Sequence, residues 1–241
     1  MTQTIRNIDG ILKISGAKDA TKWDVLVAPE NIADRNMHIY WNDDKKDVSI
    51  TREIHLSYLR LTGGMVESNN DYAASITIDG HGQLPLYITS CIFQGCHEGI
   101  PCISKFSGRV VLITRDSATL GVKAIIKDTL FENTYSLNSG GAVFINDLRS
   151  TGQVQPSSVS IEGSTFKSTY AKTFGGALSV QASKLEVSVS IISSTFEQCK
   201  ALFEGGAIYA YGHTVNFKES CAVNVQSSTF HSNSAKNGGA I

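Results

Sequence analysis

Residues 190–210 read SIISSTFEQCKALFEGGAIYA, and the chain says nearly the same thing three more times. Residues 125–145 are IIKDTLFENTYSLNSGGAVFI, residues 160–180 are SIEGSTFKSTYAKTFGGALSV, and residues 224–241 are NVQSSTFHSNSAKNGGAI. The shared frame is Ser-Thr-Phe or a close variant, then Asn, Thr or Cys three residues on, then Gly-Gly-Ala before Val, Leu or Ile. Phe131, Phe166, Phe196 and Phe230 are spaced 35, 30 and 34 residues apart. The glycine pairs are Gly140-Gly141, Gly175-Gly176, Gly205-Gly206 and Gly238-Gly239. A fifth copy begins at Phe93 and lacks the pair, and Gly63-Gly64-Met65-Val66 marks a sixth. A fixed period of this size is the mark of a repeat architecture.

Upstream of each Phe the sequence alternates. Leu86 and Ile88, Ala124 and Ile126, Val159 and Ile161, Val189 and Ile191, and Val223 and Val225 are separated mostly by polar residues. That is the period of a half-buried strand. After Gly-Gly-Ala the alternation restarts with Val143 and Ile145, Leu178 and Val180, and Ile208 and Ala210. No unit sustains the spacing of an amphipathic helix. A unit of two or three short strands cannot bury its own apolar face, so units must stack. The expected fold is all-β: a right-handed, single-stranded parallel β-helix of roughly seven turns. In it the Phe side chains stack inward and the Gly-Gly pair supplies positive φ at a tight corner. Thr134, Thr169, Cys199, Asn233 and Cys96 are expected to point into a turn and bond the backbone.

Phe230-His-Ser-Asn233 with Gly238-Gly-Ala-Ile241 resembles the repeat of chlamydial polymorphic membrane proteins, and similar repeats occur in surface proteins of some protists. The resemblance covers residues 120–241 best. It implies a pectate-lyase-like β-helix on an outer surface, working as an adhesin toward a host-cell protein or glycan, or joined to further repeats of its own protein.

The rest of the chain constrains rival readings. Charge is nearly balanced at −1, without the basic excess of a nucleic-acid binder. The opening residues hold no apolar run of a signal peptide, and no run of eighteen apolar residues marks a membrane-spanning segment. Five Cys exclude a complete internal disulfide framework. Residues 1–84 read as degenerate turns or an N-terminal piece and 85–241 as clear repeats, giving one continuous domain over 1–241. The stop at Gly-Gly-Ala-Ile241 reads as a piece of a longer protein, or an end that a partner covers.

The candidate chemistry is thin. Asn42-Asp43-Asp44 and Gly80-His81-Gly82 resemble two fragments of the polygalacturonase signature. On an enzyme reading Asp43, Asp44, Asp79 and His81 would supply the acid and base. Their spacing is wider than that family's, and Asp43-Asp44-Lys45-Lys46 reads as a solvated turn, so no catalytic site is expected. Cys91, Cys96, His97 and Cys102 cluster, but Cys91 and Cys96 fall on small-residue positions of the repeat, so no metal and no cofactor is expected. The binding candidates are Phe144, Asn146, Gln181, Tyr209 and Tyr211, outward positions of the strand after Gly-Gly-Ala. Aromatics beside amides suit a glycan or protein surface. A purely structural spacer is the third reading.

Overall fold

The computed structural model describes residues 3–6, 11–15, 24–27, 37–41, 53–62, 76–81, 85–95, 110–115, 123–147, 157–182, 186–212 and 221–241. Every strand in them pairs in parallel, and successive levels of the stack are called rungs below. The first sheet stacks Gln3–Arg6, Met37–Trp41, Ile76–His81, Val110–Arg115, Val143–Asp147, Leu178–Ala182 and Ile208–Gly212. The second stacks Ile11–Ser15, Glu53–Ser57, Leu86–Thr89, Lys123–Lys127, Ser157–Glu162, Val187–Ile192 and Cys221–Gln226. The third stacks Asp24–Val27, Leu59–Thr62, Ile92–Gln94, Leu130–Glu132, Thr165–Lys167, Thr195–Glu197 and Thr229–His231. A fourth, narrow sheet holds only Tyr135–Ser136, Tyr170–Ala171 and Lys200–Ala201. The chain visits the faces in a fixed order and returns one strand further along, which makes it an all-parallel β-solenoid, consistent with the right-handed β-helix.

The expected count of roughly seven turns is corrected. Among the described residues only 123–147, 157–182 and 187–212 place a strand on all four faces, so the solenoid has about three complete turns. Among the described residues before 123 no strand joins the fourth sheet.

The core follows from the register. Phe93, Phe131, Phe166, Phe196 and Phe230 are paired strand to strand. Their rings stack face to face with centroids 4.8, 4.9, 4.6 and 4.8 Å apart, the spacing of neighbouring strands. Around that column the alternating residues of the second sheet line the interior: Ile54, Leu56, Leu86, Ile88, Ala124, Ile126, Val159, Ile161, Val189 and Ile191 are all buried.

Each corner has its own solution. The first glycine of each pair is left-handed, with φ between 59° and 66°. The second is not, and its constraint is contact: a Cβ on Gly176 would lie 2.1 Å from the carbonyl oxygen of Gly206. Two further left-handed corners use other residues, one through Tyr58, Ser90, Asp128, Gly163, Ser193 and Ser227, the other through Asn133, Ser168, Gln198 and Ser232. The first of these strips the following backbone N–H of a ladder partner, and the next rung repairs it. The Thr129 N–H donates to Ser164 Oγ, Ser164 N–H to Ser194 Oγ and Ser194 N–H to Ser228 Oγ, at 3.2, 3.2 and 3.1 Å. Each hydroxyl then donates to a carbonyl two residues back. This is the physical reason for the Ser of Ser-Thr-Phe.

Candidate functional site

The position three after the Phe does part of what its sequence promised. Asn233 spans two rungs: its Oδ1 accepts from the Cys199 N–H at 2.9 Å and its Nδ2 donates to the Phe196 carbonyl at 3.0 Å. Cys199 makes only long contacts from Sγ, at 3.6 and 3.7 Å. The Thr134 and Thr169 hydroxyl oxygens are buried without a hydrogen-bond partner, so the expected backbone bonds are not made there. Cys96 lies outside the described residues. These are structural columns, and the chemistry they hold is inert. Burial pushes the thiols of Cys91 and Cys199 up to about 11, so both stay protonated at neutral pH. Cys91, Cys199 and Cys221 are free cysteines.

The outward strip of the first sheet is rearranged relative to expectation. Phe144, Ser179 and Tyr209 share one column of the register, and Asn146, Gln181 and Tyr211 the other. Phe144 does not present its ring: it is 3 % exposed, and Ser179 is fully buried. The segments that carry the chain from the fourth sheet to the Gly-Gly corner lie beside this face. Ser139 and Thr173 of those segments share a 2.8 Å hydrogen bond, and the Gln181 amide donates to Ser139 Oγ at 3.2 Å and to Ser179 Oγ at 3.1 Å. Gln181 thus ties the strand to the corner segment, and its amide protons serve the fold. Asn146 is half-buried.

One level on, the same segments bring aromatics together. Phe174 stacks on Tyr209 with centroids 4.7 Å apart and lies tilted against Phe203 at 6.2 Å. Tyr209 and Tyr211 are parallel, 6.4 Å apart. Phe203 is 48 % exposed, Leu202 42 % and Tyr211 38 %, the largest exposed apolar surface of the complete turns. Burial raises the Tyr209 hydroxyl pKa, and the neighbouring Glu204 carboxylate adds to it. The result is an aromatic cluster with a half-buried base, Phe174 and Tyr209, and an exposed crest, Leu202, Phe203 and Tyr211. Phe174, Leu202 and Phe203 were not among the sequence candidates. The signal was present as Thr-Phe immediately before Gly-Gly in Lys172-Thr-Phe174 and as Leu-Phe one residue before it, ahead of Glu204, in Ala201-Leu-Phe203.

Two smaller groups lie elsewhere. Tyr135 and Tyr170 stack at 5.0 Å on the fourth sheet. On the outer face of the second sheet His55 stacks on Tyr87 at 4.4 Å, with Glu53 2.7 Å from the His55 ring nitrogen.

The enzyme candidates are not brought into a described constellation. Asp43 and Asp44 lie outside the described residues, as do His97 and Cys102. Asp79 and His81 belong to one strand, in register with Ile113 and Arg115 of the next. Among the described residues no group of three or more His, Cys, Asp or Glu is placed to hold a metal ion. Also among them, no helix is long and apolar enough to cross a membrane. No family model matches the chain, and neither a curated protein nor a solved structure matches it.

Proposed function

We propose that the chain is a non-catalytic, adhesin-like β-solenoid of the cell surface or extracellular space that binds a protein or glycan through Phe174, Leu202, Phe203, Tyr209 and Tyr211. The observation that carries this reading is the exposed aromatic crest held on a rigid base. Aromatic side chains lose little entropy on binding and anchor most interface energy, and large exposed apolar groups clustered on one face mark contact sites. The rungs beneath fix the rings in place, because each is stacked or flanked by a residue of the neighbouring rung. The surface location rests on the resemblance of the repeat to those of surface proteins.

The test is a glycan array together with a cell-adherence assay, comparing the parent chain with a Phe203→Ala, Tyr211→Ala variant. Binding by the parent, weakened at least tenfold in the variant with an unchanged melting temperature, is the expected result. Equal binding by both would move the contact away from the cluster. No binding to glycans or to cells would replace the adhesin with a spacer.

A further inference from the structure

The fourth sheet and the segments that follow it carry an uneven charge. In residues 135–139, 170–174, 200–204 and 234–237 the charged side chains are Lys172, Lys200, Lys236 and Glu204. The lysines are all exposed, whereas Glu204 is half-buried beside Tyr209. The outer column of the third sheet next to them is mixed in sign, with Glu132, Lys167 and Glu197 in register. The chain as a whole stands at −1. The cation excess is a property of this face and not of the chain.

The lysines stand around the exposed crest of the aromatic cluster. Ala171 pairs with Ala201 and Phe174 with Glu204, so Lys172 lies beside Leu202 and Thr173 beside Phe203. Lys200 and Leu202 are exposed on either side of buried Ala201. In the following rung Ser234 pairs with Lys200 and Asn237 with Glu204, which sets Lys236 alongside Leu202 and Phe203. Leu202 and Phe203 therefore have a rung on each side and are still 42 % and 48 % exposed. Two side chains without a polar atom form the centre of this surface, and ammonium groups form its rim.

We infer that the partner is a protein with an apolar patch that covers Leu202 and Phe203 and carboxylates around it that meet Lys172, Lys200 and Lys236; this rests on the contact site proposed above. An apolar centre excludes water, and opposite charge around the rim speeds encounter and rejects partners of the wrong sign. A sugar is a poorer match, because its recognition needs polar groups placed against its hydroxyls as well as a free ring face. Leu202 and Phe203 offer no such group, the Gln181 amide is held by Ser139 and Ser179, and the Phe174 ring is stacked on Tyr209. A bilayer is a poorer match too. An interfacial anchor buries its apolar face ~5–10 Å deep, and over half of Leu202 and of Phe203 is covered by the fold.

The experiment pans random peptides displayed on phage against the immobilised full chain and measures the affinity of the selected peptides in solution. Peptides that combine Asp or Glu with Phe, Trp or Leu are expected. Their affinity is expected to fall at least tenfold with Phe203→Ala and at least tenfold with the double variant Lys172→Glu, Lys200→Glu. It is expected to survive Lys172→Arg, Lys200→Arg and to weaken as salt is raised. If charge reversal lowers the melting temperature, Lys172→Gln, Lys200→Gln replaces it, and a loss of affinity is again expected. Loss with Phe203→Ala but not with the lysine variants overturns the inference and leaves the contact site standing. Equal binding to Phe203→Ala removes the contact site and the inference with it. Selected peptides without acidic enrichment, or failure to select any peptide, overturn the inference. So does binding to a glycan array or to phosphatidylserine vesicles that is lost with Phe203→Ala, since a glycan or a bilayer would then be the partner.

Discussion

At the scale of the residue, the fold is a set of columns, and each column has its own tolerance. The Thr134 hydroxyl is buried with no partner, which costs stability that a methyl group would not. Thr134→Val keeps the shape and removes the oxygen, so it is expected to stabilise by about 1 kcal/mol, read as a higher urea midpoint at unchanged slope. The buried thiols set a pH dependence. Their pKa is raised from 9.0 to about 11, so the unfolded chain loses these protons first and the folded chain holds them. The stability they contribute is fully present below pH 9 and is lost as pH rises to about 11. Tyr135, Tyr170 and Tyr209, raised by burial above 10.0, act in the same direction. Urea midpoints measured from pH 8 to 11 are expected to fall, and to fall less in a Cys91→Ala, Cys199→Ala variant.

At the scale of the element, each strand is made by its neighbours. Phe166 is sandwiched between Phe131 and Phe196, while Phe230 has a ring on one side among the described residues. Phe166→Ala is expected to cost about 3–5 kcal/mol, and Phe230→Ala clearly less, by chemical denaturation of the two variants. The inward strands were legible because alternation along a strand decides inside from outside. What covers an outward face was not legible, because that depends on segments belonging to no strand. Phe144 alternates outward and is nonetheless buried, and Gln181 spends its amide on Ser139 and Ser179. Conversely, Phe174 and Phe203 sit outside the alternation and form much of the aromatic cluster. The two left-handed corners without a glycine pair were also missed. Asp and Asn are enriched in that conformation but Tyr58, Gln198 and the Ser residues that also adopt it are not, and only Gly163, standing in the column of Asp128 and Ser193, hinted at one of them.

At the scale of the whole molecule, stability is close to a sum of rung and interface terms, and a rung alone is unstable. The repeat period announced the solenoid. The number of complete turns was not legible, because a turn needs a fourth strand that the Phe spacing does not encode. It needs the short stretch between the Phe strand and Gly-Gly, present from residue 123 onward and absent among the described residues before it. The same stretch carries Leu202 and Phe203, so the segment that completes a turn also builds the candidate binding surface.

The central claim is that rungs stack in register through one aromatic column, and a double-mutant cycle on that column tests it most directly. Phe166 and Phe196 are in contact at 4.6 Å, whereas Phe131 and Phe196 are separated by the Phe166 ring. Replacing each with Leu, singly and in pairs, gives two coupling energies from urea denaturation. The account predicts coupling of about 0.5–1.5 kcal/mol for Phe166 with Phe196, and additivity within about 0.3–0.5 kcal/mol for Phe131 with Phe196. Additivity for the adjacent pair, or equal coupling for both pairs, would contradict the stacked register.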